Sequence, residues 1–113
     1  MVAIGPLLVS RRDVYRKRLV DDGAGGRVTT WEYVATVPCR VSQPRPTERA
    51  IAMQMGAEAP TPVYCAPDAD VRRGDELRDP DTGQRLRVVA TVRPSVAVYL
   101  RADCHQVEAE GGT

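Results

Sequence analysis

The side chains most capable of chemistry in this sequence are three thiols and one imidazole. Cys39, Cys65 and Cys104 lie far apart and form no CxxC pair, and the single histidine, His105, directly follows Cys104. A cysteine beside a histidine could provide a nucleophile and its base, or two ligands of a zinc ion. Because adjacent residues of a strand point to opposite faces, Cys104 and His105 are not expected to share one site. The spacing favours reduced thiols in the core, and it leaves a disulfide or a metal site as alternatives.

Acidic residues are concentrated in turn-like stretches at residues 21–22, 68–70 and 79–81. The stretch DPDTG at residues 79–83 offers oxygen ligands for calcium, but the spacing of an EF-hand loop is missing. The sequence also contains no Walker loop, no dinucleotide-binding fingerprint and no nucleophile elbow. We therefore predict that the chain is not an enzyme and that it needs no cofactor and no metal.

Length and charge set further bounds. A chain of 113 residues is predicted to form a single domain, and its 16 basic residues nearly balance its 15 acidic ones. A dedicated binder of duplex DNA normally carries a clear basic excess. Residues 1–9 are apolar but too few to span a membrane, and they lack the basic start of a signal peptide. We expect a protein that is made in the cytoplasm and makes no membrane contact.

The strongest structural signal is a long strand at residues 31–41. Every odd position is apolar and most even positions are polar; the apolar ones are Trp31, Tyr33, Ala35, Val37, Cys39 and Val41. This period of two predicts a half-buried strand with these side chains on its inner face. Pro38 lacks a backbone N–H, so it marks an edge, a bulge or a bend.

Five more stretches are predicted as strands, at residues 13–20, 61–66, 76–78, 85–92 and 97–104. In the last two, alternation places one set of apolar side chains inside: Leu86, Val88, Ala90, Val92, Val98, Leu100, Ala102 and Cys104. About six short strands with turn signals between them predict a mainly β fold, a small antiparallel β-barrel or sandwich. A helical or loop insertion separates the second and third strands.

The insertion covers residues 45–60, after the first strands at 12–44 and before the remaining strands at 61–108. Its residues favour a short helix, with Thr47 as the N-terminal cap and Gly56 as the stop. A helix this short needs a packing partner. One alternative is the chain's own barrel, covered by Ile51 and Met55 at i, i+4 spacing. The other is a neighbouring subunit.

Both ends of the chain are predicted to lie outside this fold. Residues 1–11 form an N-terminal arm whose Leu7 and Leu8 require burial. This burial is expected either in a short strand on the same barrel or on a neighbouring subunit. Residues 109–113 end in Gly-Gly-Thr and are predicted to form a flexible tail.

The order of these elements resembles that of the head-closure proteins of long-tailed bacteriophages, also called head–tail joining or stopper proteins. The resemblance covers roughly residues 12 to 108. It rests on a basic first strand at 13–18 (DVYRKR), a segment at 30–41 (TWEYVATVPCRV) and the insertion that follows. The closing part is also similar, with RGDEL at 73–77, RLRVVATV at 85–92 and LRADC at 100–104.

The resemblance implies a β-barrel subunit of a homo-oligomeric ring, six- or twelve-fold, at the neck of the virion. Such a ring would lie between the portal and adaptor proteins above and the tail terminator and tail tube below, with packaged double-stranded DNA in its channel. The insertion would project toward that channel, and the residues expected to face DNA are Arg45, Thr47, Glu48, Arg49 and Gln54. Those expected to pack between subunits are Ile51, Met53, Met55, Leu7 and Leu8.

Two other functions stay open. One is a different neck or tail component, such as a tail terminator or an adaptor, although an adaptor would be mostly helical. The other is a small barrel that binds single-stranded nucleic acid, which usually presents aromatic stacking platforms. The chain has one tryptophan, four tyrosines and no phenylalanine, and Trp31 and Tyr33 fall on the predicted inner face, so this function is disfavoured.

Overall fold

A computed structural model describes residues 8–43, 46–56 and 59–107 of the chain. Within these residues the chain forms six strands and one helix: β1 (Ser10–Asp21), β2 (Arg27–Val41), α1 (Pro46–Gln54), β3 (Thr61–Cys65), β4 (Glu76–Arg78), β5 (Arg85–Val92) and β6 (Leu100–Val107). The predicted mainly β fold, with a helical insertion between the second and third strands, is confirmed. Leu7 and Arg45, which the sequence analysis singled out, lie outside the described residues, as does the 109–113 tail.

The six strands form one antiparallel sheet that closes on itself as a barrel, in the order β1-β2-β3-β6-β5-β4. The short pairing of β1 with β4, from Asp13 opposite Arg78 to Tyr15 opposite Glu76, completes the closure. Because neighbouring strands run in opposite directions, the β1–β2, β3–β4 and β5–β6 connections share one end of the barrel, here called the hairpin end. The β2–β3 insertion and the β4–β5 turn lie at the other end, here called the insertion end.

The barrel interior is filled by small and medium-sized side chains, in keeping with a sequence that has no phenylalanine. Its members are Val14, Val37, Cys39, Val63, Cys65, Val71, Leu77, Leu86, Val88, Leu100, Ala102 and Cys104. Alternate residues of β6 belong to this core, as the period of two predicts. The predicted inner positions Leu100, Ala102 and Cys104 are therefore confirmed, although β6 begins three residues later than expected.

A bulge in β2 overturns part of the prediction for the 31–41 strand. Val14 pairs with Ala35, but the next residue of β1, Tyr15, pairs with Tyr33, so Val34 is an extra residue on β2. An extra residue exchanges the two faces of a strand beyond it. Val37 and Cys39 are buried as predicted, whereas Tyr33 is 54% exposed.

A second bulge, at Val89, has the same effect on β5. Val88 pairs with Cys104, but Ala90 pairs with Asp103, so Val89 is the additional residue. Thr91 then takes the place opposite the buried Ala102, and Val92 moves to the outer face opposite Arg101. The prediction that Val92 continues the inner row of Leu86 and Val88 is wrong for this reason.

The first two strands project beyond the barrel at its hairpin end. β1 pairs with β4 only over residues 13–15, and β2 pairs with β3 only over residues 39–41. Residues 16–21 and 27–32 therefore form a two-stranded ribbon with which no other described strand pairs. Pro38 lies just where β2 loses its β3 partner, an edge position that suits a residue without an N–H. The ribbon turns through Gly23 and Gly25, whose φ angles of 79° and 84° favour glycine.

Helix α1 starts one residue before the predicted cap. Pro46 occupies the first helical position, which suits its fixed φ and missing N–H. Thr47 therefore lies inside the first turn, and the prediction that it caps the helix is wrong. Gly56 follows the helix with a φ of 71°, the left-handed conformation typical of a C-terminal stop. No helix in the described part of the chain is long and apolar enough to cross a membrane.

Candidate functional site

The insertion presents a short helix with exposed apolar side chains at one end of the barrel. None of the nine residues of α1, all of which the structure describes, is buried. Ile51 is 59% exposed, Met53 is 77% exposed, and Met55, just beyond the helix, is 79% exposed. The alternative in which Ile51 and Met55 cover the chain's own barrel is therefore wrong. A short helix with exposed apolar side chains is poorly stabilised by its own subunit.

The polar residues predicted to face DNA are also exposed. Thr47, Glu48, Arg49 and Gln54 all lie on α1 with their side chains accessible. Glu48 is in the first turn, where a carboxylate is favoured by the positive end of the helix dipole. Arg49 is the one described cation of α1, so the described helix is not a basic patch.

A groove of about 610 Å³ separates α1 from the insertion end of the barrel. The helix contributes Arg49 and Met53 to its lining, and the barrel contributes Leu86, Cys104 and His105. Leu8, predicted to pack between subunits, is half-buried, and the neighbouring Val9 is almost fully exposed. The insertion end thus combines an unfilled groove with several uncovered apolar side chains.

The three cysteines are confirmed as free thiols of the core. Cys39 lies directly opposite Cys65 across the β2–β3 pair, and all three side chains are fully buried. Burial raises the pKa of Cys65 and of Cys104 to about 12, so neither is a thiolate at neutral pH. A buried, protonated thiol is a poor nucleophile. Among the residues described, no cluster of His, Cys, Asp and Glu could hold a metal ion.

Two buried carboxylates, which the sequence analysis did not single out, organise the hairpin end. Asp75 is almost fully buried, and its carboxylate accepts hydrogen bonds from Arg16 Nε (3.0 Å), Arg16 Nη2 (2.9 Å) and the Arg72 N–H (2.9 Å). Arg16 Nη2 also lies 3.0 Å from Asp70 Oδ1, and this contact lowers the pKa of the Asp70 carboxyl. These bonds tie the base of the ribbon to the loop between β3 and β4. The sequence contains a signal for this site. Two acidic residues, Asp75 and Glu76, are consecutive where the chain enters β4, and β1 is rich in basic residues.

The second carboxylate, Glu76, is buried on the outer face beneath arginines. It pairs with Arg78 at 3.0 Å and with Arg87 at 3.2 Å. The Arg78 guanidinium lies 4.0 Å from the centre of the Tyr15 ring, and the Arg87 guanidinium lies 5.4 Å from that of Trp31. Contacts of this kind are cation–π interactions.

These contacts correct the placement of the aromatic residues. Trp31 and Tyr33 lie on the outer face and not the inner one, because the Val34 bulge exchanges the faces of β2. Tyr33 packs edge-on against Tyr15, with ring centres 5.8 Å apart. The outer rings of Tyr15, Trp31 and Tyr33 thus contact one another or guanidinium groups of the same chain. These contacts hold the ribbon on the face opposite to that of Arg16.

The chain was compared with known proteins both by sequence and by structure. The sequence model of one family, described as phage head completion protein, matches residues 6–107. No curated protein matches the sequence. Among solved structures, the chain is similar to the solution structure of protein SF1141 from Shigella flexneri 2a, with 19% sequence identity and a TM-score of 0.73. The likeness covers 92% of this chain and 96% of that one, and at this identity it shows the fold alone.

Proposed function

The chain belongs to the phage head completion protein family and so has a structural role in joining phage heads to tails, and we propose that copies of it form a ring at the neck of the virion. In this proposal the ring closes the portal channel, retains the packaged DNA and offers the docking surface for the tail. The portal and adaptor proteins contact one side of the ring, and the tail terminator and tail tube contact the other.

The exposure of the large apolar side chains on and just after α1 is the observation that carries this proposal. Ile51, Met53 and Met55 are all more than half exposed to solvent. In a ring, identical helices at the insertion end meet around the axis, where each can cover its neighbours' apolar side chains. A helix that is marginal alone and ordered by its neighbours can also open when a tail docks. The insertion is therefore proposed as the closing element of the channel.

The charge of the chain suits a channel that must later release DNA. The net charge is +1, and the described part of α1 places Arg49 beside Glu48. A strongly basic lumen would bind phosphate through counterion release and hold the DNA. In the proposal, closure is therefore steric and apolar, and Arg49 makes the phosphate contacts from the described helix.

The experiment replaces the exposed apolar side chains of the insertion by serine and measures DNA retention in complemented phage particles. The phage gene is silenced, and the chain is supplied either unchanged or as the triple variant Ile51→Ser, Met53→Ser and Met55→Ser. We expect heads that carry the variant to lose their DNA to nuclease, while the control Val89→Ser, an exposed valine of β5, leaves DNA retention unchanged. Full nuclease resistance with the triple variant would contradict closure by the insertion.

A further inference from the structure

Basic side chains are concentrated on the outer face of the neighbouring strands β1, β4 and β5. Three arginines of β4 and β5 surround the buried carboxylate of Glu76, with nitrogen–oxygen distances of 3.0, 3.2 and 3.8 Å. Lys17 lies on the same side, because it follows Tyr15 by two residues on β1 and the Tyr15 ring contacts one of these arginines. We call this surface the arginine face, and its basic members are Lys17, Arg78, Arg85 and Arg87.

The arginine face carries more positive charge and more hydrogen-bond donors than its own acceptors satisfy. Its four basic side chains accompany two carboxylates, those of Asp13 and Glu76, so two positive charges are in excess. The whole chain has a net charge of only +1. Among the described residues, Arg78 and Arg87 each donate a hydrogen bond through one nitrogen only, to Glu76. The other N–H groups of both guanidinium groups are therefore available to a partner.

The guanidinium groups are held in place before any partner binds. Arg78 stacks on the ring of Tyr15 and Arg87 lies over that of Trp31, while both donate to Glu76. Their side chains nevertheless remain accessible, since that of Arg78 is 23% exposed and that of Arg87 is 46% exposed. Arginine, tryptophan and tyrosine are the residues that most often dominate binding between proteins. Side chains that are already ordered also lose less entropy when a partner binds.

We propose that the arginine face is the docking surface for an acidic surface of a different protein at the joint between head and tail. Carboxylates of that partner accept hydrogen bonds from the available guanidinium N–H groups, whose planar arrangement matches a carboxylate in a bidentate pair. The inference needs the head-to-tail joining role of the family. It does not depend on closure of the channel by the insertion.

A second copy of the chain is a poorer match for this face than an acidic partner. Most carboxylates in the described part of the chain already have partners within it. Asp70 and Asp75 bind Arg16, and Glu32 binds Arg18. Breaking these pairs to form others between copies would yield little net binding energy.

Duplex DNA also fits the arginine face less well than a protein does. Binding to the phosphate backbone depends on a clear excess of basic groups. Here Asp13 and Glu76 lie among the basic side chains and would repel phosphate. The rings of Tyr15 and Trp31 are covered by the chain's own guanidinium groups, so they offer no platform for unpaired bases either.

A binding assay with phage heads and tails tests this surface. The purified chain is mixed with nuclease-treated heads, with untreated heads or with tails, all from a lysate in which the phage gene is silenced, and the bound chain is measured after sedimentation. We expect the unaltered chain to bind nuclease-treated heads or tails. Lys17→Glu and Arg87→Gln should each weaken that binding by roughly tenfold.

The variants are chosen so that loss of binding is separate from loss of folding. Lys17 has no hydrogen bond or ion pair with any described residue, so Lys17→Glu should fold normally, which urea denaturation checks. Arg87→Gln leaves Arg78 in place on Glu76. The matched control is Arg40→Glu, which reverses an exposed charge on the β2–β3 side of the barrel and should bind like the unaltered chain.

Each other outcome identifies a different occupant or none. Binding to untreated heads that disappears after nuclease treatment would show that DNA is the partner and would overturn the proposal. Oligomers of the chain alone that Lys17→Glu disrupts would show a second copy on the arginine face, with the same consequence. Equal binding by the two face variants and the unaltered chain, or binding of the unaltered chain to neither fraction, would also overturn it. DNA retention by the triple insertion variant tests closure separately, because that variant keeps the arginine face.

Discussion

Arg16 of β1 donates two hydrogen bonds to the carboxylate of Asp75, from Nε to Oδ1 at 3.0 Å and from Nη2 to Oδ2 at 2.9 Å. The carboxylate is 2% exposed, whereas the arginine side chain is 27% exposed. The pair therefore joins the projecting ribbon to the loop between β3 and β4 through a charge held out of water. Bidentate pairs of this kind fix geometry as well as contributing energy.

Removal of this carboxylate should destabilise the barrel. Asp75→Ala leaves the Arg72 N–H and Arg16 Nε without their acceptor, while Arg16 Nη2 retains Asp70. We therefore expect the free energy of unfolding to fall by about 2–4 kcal/mol. Urea denaturation followed by circular dichroism measures this change. The matched control is Glu32→Ala, which breaks the Arg18–Glu32 pair at 2.9 Å, whose two side chains are more than half exposed. That variant should cost less than about 1 kcal/mol, and an equal loss in both variants would contradict the account.

Two valines on one strand test the bulge in β5. Val88 is 1% exposed and Val92 is 39% exposed, although strict alternation places them on one face. Val88→Ala should cost about 2 kcal/mol of stability through a core cavity, whereas Val92→Ala should cost less than about 0.5 kcal/mol. Equal losses in urea denaturation would mean that the strand alternates without a bulge.

The two bulges also explain how far the sequence could predict the fold. Six strands and the inner row Leu100, Ala102 and Cys104 follow from a period of two, because one face of each strand is buried. Which residue of a strand is the extra one depends on the pairing with a neighbour, and Val34 and Val89 resemble ordinary strand residues. The period of two alone therefore does not predict that Trp31 lies on the outer face.

The candidate site was predictable in position but not in exposure. The insertion was recognised because a helix-forming stretch interrupts a series of strands. Whether Ile51 and Met55 pack on the barrel or face solvent depends on how the helix is oriented at the insertion end. The spacing of residues within a helix of nine residues does not determine that orientation. The role of Asp75 was missed because its partner, Arg16, is 59 residues away in sequence.

The buried thiols predict a loss of stability at alkaline pH. Burial raises the pKa of Cys65 and of Cys104 from 9.0 to about 12, so the folded state holds these protons more tightly than the unfolded chain. Their contribution is complete below pH 9 and is lost as the pH rises toward 12. Between these values the free energy of unfolding should fall by about 1.4 kcal/mol per pH unit for each thiol.

Urea denaturation from pH 8 to pH 11 measures this slope, with Cys104→Ala as the comparison. That variant starts from a lower stability because of its cavity, but its slope should be shallower by the share of one thiol. Identical slopes in the two proteins would show that the pKa of Cys104 is the same in the folded and unfolded states.

The exposure of α1 predicts a separation of stability from assembly. Met53→Ser should change the free energy of unfolding by less than about 0.5 kcal/mol, because this side chain is 77% exposed. In complemented heads the same substitution should weaken DNA retention, since the uncovered methionine is proposed to contact neighbouring copies. A stability loss of about 2 kcal/mol or more would instead show that Met53 packs within its own subunit.

DNA retention in heads from a lysate in which this gene alone is silenced tests the central claim most directly. Nuclease protection gives the DNA content of the heads, and electron microscopy counts attached tails. We expect heads that package DNA, then lose it and never acquire tails, with both defects repaired by the chain supplied in trans. Full, tailed and infectious particles at normal yield from the silenced lysate would contradict head closure by this protein.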